Sequence, residues 1–234
     1  MTGKRGSSRK IKVVGIQREE IDTEQIAMAL WLQAKRQIKE RKDAEEQAAK
    51  DQADPTDYRY WDDEPVRVVP YDLSWPIRFE EEKRLLEPAI GTWVSGGIHH
   101  VGSTAVPGLA AKPVIDILVG VESLDSSRPA FEPLAELGYL RAPYREKEMH
   151  WFCKPDPAHR THHLHLVPTG SQRYQDELAL RDFLRVRPDI ALKYQEIKQR
   201  LAVSYEHDRE AYTDGKSSFI ALALKEAGES GASA

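Results

Sequence analysis

Three short stretches carry residue types that can do chemistry. His99-His100-Val101-Gly102-Ser103-Thr104 reads as a strand running into a Gly-Ser turn. Glycine lets an anion approach the backbone, the Ser103 hydroxyl adds a donor, and N–H groups at a following helix start favour negative charge. The same dipeptide also makes plain turns. Val114-Ile115-Asp116-Ile117-Leu118-Val119 places one acid inside an apolar run. A buried carboxylate without a partner is costly, so Asp116 calls for a cation, a metal or hydrogen-bond donors from a loop. In Thr161-His162-His163-Leu164-His165-Leu166-Val167, alternation puts Leu164 and Leu166 on one face and His163 and His165 on the other. Two imidazoles on one face can bind a metal, exchange protons or face solvent. His165 is the stronger functional candidate, and His162 reads as a surface residue at the strand start. Lys112 and Arg160 flank these strands, as phosphate-neutralising groups or as solvated loop charges. Lys216 sits where an anion can be held, or where Ser217 simply caps a helix.

The elements around these stretches alternate. Val66–Val69 is a brief β-branched run stopped by Pro70. Pro76–Ile90 reads as a helix opened by Ser74, with Pro76 in its first turn. Strands are expected over Ile98–Val101 and Val114–Val119, and a helix over Arg128–Leu137, ended by Gly138. Glu148–Lys154 and His162–Val167 read as an antiparallel pair joined through Pro155 and Pro157. Helices follow over Glu177–Arg187, from Pro188 to about His207, and over Ser217–Ala227. Strands in the middle and helices at the end argue α+β, a mixed α/β sheet with a C-terminal helical part, rather than a doubly wound parallel sheet. Trp75 and Trp93 read as packing residues, Glu80–Arg84 as a solvated helix face, and Arg181-Asp182 as an ion pair holding the helices to the sheet.

Composition changes near Pro65. Residues 1–10 are basic and nearly devoid of apolar groups, and read as disordered. Asp22-Thr23-Glu24-Gln25 opens an extra N-terminal helix of about residues 22–49. Ile26, Leu30, Ala34 and Ile38 form a narrow apolar stripe, and beyond Ile38 the helix is solvated. So narrow a stripe needs a surface: the main domain, a second copy for self-association, or a protein partner. Asp51 to Glu64 reads as a linker, leaving residues 65–229 as the main domain. The chain has 234 residues, 31% of them charged, and a formal net charge of −4. It shows no basic footprint for nucleic acid. Cys153 is the single cysteine, which excludes an internal disulfide and a cysteine-based zinc site. No apolar run approaches the ~18 residues of a membrane span, and no apolar signal core follows the basic start, so a soluble cytoplasmic protein is expected.

The run His100-Val101-Gly102-Ser103-Thr104-Ala105-Val106-Pro107-Gly108-Leu109-Ala110-Ala111-Lys112-Pro113-Val114-Ile115-Asp116-Ile117 resembles the signature of the GrpB family. So does Thr161-His162-His163-Leu164-His165-Leu166-Val167-Pro168, followed by Asp176-Glu177-Leu178-Ala179-Leu180-Arg181-Asp182-Phe183-Leu184-Arg185. The resemblance spans roughly Val66 to Ala227, includes Pro70-Tyr71-Asp72 and Trp75-Pro76, and leaves residues 1–64 uncovered. That family is similar to nucleotidyltransferases with a polymerase-β-like core. The resemblance implies a Gly-Ser turn for nucleotide phosphates at Gly102 and Ser103, with Lys112 nearby, and a metal-binding acid at Asp116. The second acid of that pattern falls on Leu118. His165 or His163 then stands where a third acid would be, and imidazole suits Mn²⁺ better than Mg²⁺. Glu148 and His150 are further candidates for the missing ligand. The implied activity is transfer of a nucleotide from a nucleoside triphosphate to an unknown acceptor with a divalent metal. Some GrpB-like domains are fused to dephospho-coenzyme A kinase, so the rival is a non-catalytic nucleotide- or cofactor-binding module, and Leu118 favours it.

Overall fold

The computed structural model describes residues 33, 35–45 and 65–231, and the chain divides into two units, Met1–Gln52 and Ala53–Ala234. In the first unit, residues 35–45 are helical and exposed. Arg36–Glu40 and Arg41–Glu45 pair one turn apart at 3.0 and 2.8 Å, which suits a solvated helix end. The expected cap at Asp22, the stripe residues Ile26, Leu30 and Ala34, the basic start and the linker lie outside the described residues.

The second unit is built on α1 (Ser74–Ile90), β1 (Val94–Val101), β2 (Ile115–Val121), α2 (Phe131–Glu136), β3 (Leu140–Ala142), β4 (His150–Lys154) and β5 (His162–Pro168). Four helices follow: α3 (Gln172–Val186), α4 (Pro188–Ser204), α5 (Arg209–Asp214) and α6 (Ser217–Gly231). This is the α+β arrangement expected, with a mixed five-stranded sheet in the order β1-β2-β5-β4-β3. Only β2 and β5 pair in parallel.

Register decides what each face carries, because paired residues point to the same side. Asp116 lies opposite His163 on β5 and Val101 on β1, while Leu118 lies opposite His165 and His99. The residues between them, among them Ile117, Val119, Leu164 and Leu166, face the other way into a core under α1. Trp75, Phe79, Glu82, Leu86 and Ile90 recur at helical spacing along α1 and are buried there, each apolar member contributing about 1.5–3 kcal/mol.

Several expectations shift. Val66–Val69 makes one bridge, Val69 to Ala111, instead of a strand. The first turn of α1 is held by Asp72, whose Oδ1 accepts the Ser74 N–H at 2.8 Å, and not by the Ser74 hydroxyl. Glu82, inside the supposedly solvated Glu80–Arg84 face, is buried behind the sheet and accepts from Lys154 Nζ at 2.8 and 3.0 Å. Ser171 caps α3 by accepting the Tyr174 N–H, so the helix starts at Gln172, five residues before Glu177, and α4 ends at Ser204. The short elements β3 and α5 carry too few residues to show a period.

Helix α3 crosses the Asp116 face, with Tyr174 and Leu178 packed on Leu118, Trp151 and Val167. Its close approach depends on Gly120, where a Cβ would strike the Gly96 backbone, Thr169 and Tyr174. Arg181 ties α3 to the sheet, pairing with Asp182 at 2.7 Å and donating to the His100 carbonyl at 3.3 Å. The loop after Ser103 packs Val106 and Leu109 into a second core with Phe183, Leu184, Ile190, Tyr194 and Ala223.

Candidate functional site

Asp116 is the second residue of β2, where the apolar strand meets the open end of the sheet. Its Oδ1 accepts the Nδ1–H of His163 at 3.0 Å. Burial by itself would lift the Asp116 carboxyl, but the hydrogen bond and charge of His163, with His165 and Lys216, outweigh it and hold the group below the ordinary carboxylate range. Burial pushes His163 down to about 4 even though Asp116 pulls the other way. At neutral pH the pair is therefore a carboxylate and a neutral imidazole donating from Nδ1, which leaves Nε2 as an acceptor. That Nε2 is buried and without a hydrogen-bond partner. It lies across the ring from Asp116, so the two groups do not converge on one ion.

The Gly102–Ser103 turn closes over this carboxylate. Gly102 has φ +70°, and a Cβ there would collide with Asp116 Oδ2. Only glycine meets both demands without strain. Ser103 opens a single 3₁₀ turn, Ser103–Ala105, and lines the cavity together with Tyr194 of α4. Behind the turn, Thr104 donates its hydroxyl to Val114 O and accepts from His100 Nε2 at 3.0 Å. The buried His100 ring stacks on Phe79 at 4.8 Å, and burial pushes it down to about 4.

His165 points to the same side. Its Nδ1 stands 3.4 Å from Glu177 Oε2 on α3, and Arg173 holds the other carboxylate oxygen at 3.0 Å. Burial would raise Glu177, but His165 and Arg173 keep it low. Glu177 is the acid that reading the residues one by one passed over, although Asp176-Glu177 stood in the compared run. Helical spacing from Ser171 turns it inward.

A cavity of about 1490 Å³ joins these groups, lined by Gly102, Ser103, Lys112, Asp116, His163, His165 and Glu177 among others. Nine lysines and arginines line it against six aspartates and glutamates, in a chain that is acidic overall. The expected site residues thus come together. Other expectations do not hold. His150 lies opposite Leu166, hence on the far face, and donates to Leu124 O at 2.8 Å. Glu148 stays at the cavity rim with Arg173, 3.0 Å away. His162 is not a surface group: it faces the buried Glu82 side, and burial pushes it down to about 4. Leu118 is fully buried under α3, so the second-acid position is a packing position.

Whether the residues suit a metal follows from their free atoms. Asp116 Oδ2 and His165 Nε2 are left over, as is His163 Nε2 on the side of its ring away from Asp116, and among the described residues no three His, Cys, Asp or Glu side chains form a metal cage. A divalent ion fits here only when a ligand's own oxygens complete its shell.

Residues 65–226 match the family described as GrpB protein. A UPF0157 protein of Pseudomonas aeruginosa is 42% identical, with 70% of this chain and 68% of that protein covered. The glutamate-rich protein GrpB of Alkalihalophilus pseudofirmus is 37% identical over 69% of this chain and 95% of its own length. A dephospho-CoA kinase of Mycolicibacterium paratuberculosis is 31% identical over 70% of this chain and 46% of its own. Among solved structures, the conserved protein GrpB from Enterococcus faecalis superposes with a TM-score of 0.63 at 33% identity, covering 69% of this chain and 96% of that one. The open end of the sheet, with Asp116 beneath a glycine turn, is therefore seen here in a chain that belongs to the GrpB family.

Proposed function

We propose that this domain binds a nucleoside triphosphate together with a divalent metal and transfers the nucleotide to an acceptor. The observation that supports it most is an ionised carboxylate, Asp116, with one free oxygen under the Gly102–Ser103 turn, at the floor of a cavity rich in cations. Asp116 Oδ2 would hold the metal, and the turn's N–H groups and the Ser103 hydroxyl would hold phosphate oxygens. Bound there, the metal would supply neutralising charge to the triphosphate. An acceptor oxygen or nitrogen attacks the α-phosphorus and forms the new bond. The bridging α–β P–O bond breaks, and its electron pair leaves with pyrophosphate. The acceptor's proton passes to His165 Nε2, which Glu177 leaves open by engaging Nδ1. The same Nε2 is the second metal donor if His165 is a ligand.

The test is calorimetry of ATP with and without Mg²⁺ or Mn²⁺, on wild type, Asp116→Asn and His165→Ala, followed by assay for pyrophosphate release. Metal and ATP are expected to raise each other's affinity by the same factor in wild type and to lose that linkage in Asp116→Asn. His165→Ala separates the two roles of the imidazole: a ligand's loss weakens the linkage, a base's loss leaves it intact. Equal ATP affinity in every case would sink the transferase reading. The second reading, a nucleotide- or cofactor-binding module, rests on Leu118 being sealed into the core where a second acid would stand. The matched dephospho-CoA kinase suggests a coenzyme A-like ligand for that module. It predicts ATP binding without metal linkage and without pyrophosphate.

A further inference from the structure

Three lysines from separate segments line the cavity. Lys198, on α4, is only 2% exposed. Its Nζ donates to Ala110 O at 2.5 Å and lies 4.8 Å from the centre of the Tyr194 ring. Lys216, in the turn before α6, sits 4.4 Å over Tyr212, and Lys112 approaches the same ring at 6.0 Å. All three line the cavity with Tyr194 and Tyr212. None makes an ion pair with a carboxylate among the described residues, and Asp116 is the one acid whose charge reaches all three.

An arrangement like this is unfavourable as it stands. Burying ammonium groups beside one another without counter-charge costs free energy. Burial, then Arg209, Lys216 and Arg160, push Lys112 down to about 7; burial and Lys216 push Lys198 to about 7, and burial pushes Lys216 to about 8. An anion that spans all three would recover that cost. The three groups come from separate segments: the loop before β2, helix α4 and the turn into α6. A single carboxylate meets one of them, and a chain of phosphoryl groups meets all three. Point-like ammonium groups donate to phosphoryl oxygens in any orientation, whereas a carboxylate is better matched by a guanidinium fork. Tyr194, Gly102, Ser103 and Asp116 line the same cavity as the lysines, so an anion on the lysines runs on toward the Gly102–Ser103 turn and Asp116.

We infer that Lys112, Lys198 and Lys216, with Tyr194 and Tyr212, form a polyphosphate subsite that takes the β and γ phosphates of the nucleotide. This rests on the triphosphate reading above for its nucleotide, but the subsite is defined by inorganic polyphosphate alone. It gives the cavity a direction. The leaving pyrophosphate lies on the helical side, and the opposite end, by Tyr144, Trp151 and Arg173, is left for the acceptor.

The test is calorimetric titration of inorganic tripolyphosphate into the full chain in buffer freed of metal by resin. The proteins are wild type, Lys112→Met, Lys198→Met, Lys216→Met and Asp116→Asn. Tripolyphosphate should bind wild type, each methionine variant should bind about tenfold more weakly, and Asp116→Asn should bind at least as tightly as wild type. Methionine keeps the apolar stem, so Lys198→Met should unfold, without ligand, at a higher temperature than wild type. If Lys198→Met fails to fold, the Lys112→Met and Lys216→Met titrations decide. Absence of binding to wild type, or equal binding to wild type and the lysine variants, overturns the subsite. Retained tripolyphosphate binding with no metal–ATP linkage at Asp116 removes the transferase reading and leaves the subsite. Linkage without tripolyphosphate binding does the reverse.

Discussion

Asp116 is surrounded by demands that only particular residues meet. Gly102 must take a positive φ and must also lack a Cβ, because Asp116 Oδ2 fills that space. Gly102→Ala should therefore fold but lose about 1–3 kcal/mol, read by thermal unfolding, from backbone strain alone. It should also lose metal–ATP linkage as the carboxylate is displaced; unchanged linkage would show that the turn and the carboxylate act independently. Acid sensitivity is set at the same scale. The folded chain keeps His100 neutral down to about 4, against 6.5 for the free group. Between those values the unfolded chain binds the extra proton, so stability is complete above pH 6.5 and falls as pH drops toward 4. That window is worth about 3 kcal/mol for His100. His163 and His162 add to the same limb. His100→Phe, measured by denaturant unfolding across that range, should show a shallower acid slope; an unchanged slope would mean that His100 is not buried neutral. Much of this was legible in the chain. An acid in an apolar strand demanded a partner, and strand alternation put His163 and His165 on one side. The identity of that partner was not legible, because Asp116 and His163 meet across a register that no local pattern encodes.

At the scale of elements, the site depends on how α1 and α3 sit on the two faces of the sheet. Behind it, the buried Glu82–Lys154 pair joins α1 to β4. Lys154→Met leaves Glu82 buried without its cation and should cost about 3 kcal/mol, whereas Glu82→Leu with Lys154→Met should recover most of that. Urea unfolding of the two variants checks it, and equal losses would mean that the pair is not coupled. On the site face, Gly120→Ala should push Tyr174 away and lift α3. Glu177, 3.4 Å from His165, would move with it. The expected result is a weakened ligand response in a protein whose sheet is intact by circular dichroism. Helix and strand types followed from period and from Gly and Pro punctuation. The ends moved where a cap acted upstream of the obvious residue, as at Asp72 and Ser171. His150 was misplaced because the strand begins at that residue and alternation had nothing before it to anchor the phase.

For the whole chain, the match to the family stops at residue 65, and the Enterococcus faecalis structure is covered over 96% of its length by the matched part of this one. A chain lacking residues 1–60 is accordingly expected to stay folded and to bind tripolyphosphate as the full chain does. An insoluble or molten product would show that the first unit completes the core. Among the described residues no helix is long and apolar enough to cross a membrane.

One consequence concerns the order in which this molecule assembles. Asp116 and His163 are 47 positions apart in the chain and meet through the parallel β2–β5 pairing, the slowest kind of contact to close because its intervening loop must be ordered first. Lys198 and Lys216 come from later still. The local β4–β5 pairing can form before either event, whereas α1 packs on β2 and β5 together. On refolding from denaturant, recovery of strand and helix signal by circular dichroism should thus precede recovery of tripolyphosphate binding. Early compact species would hold most of the secondary structure and be unable to engage an anion, so ligand capture marks the final step of maturation.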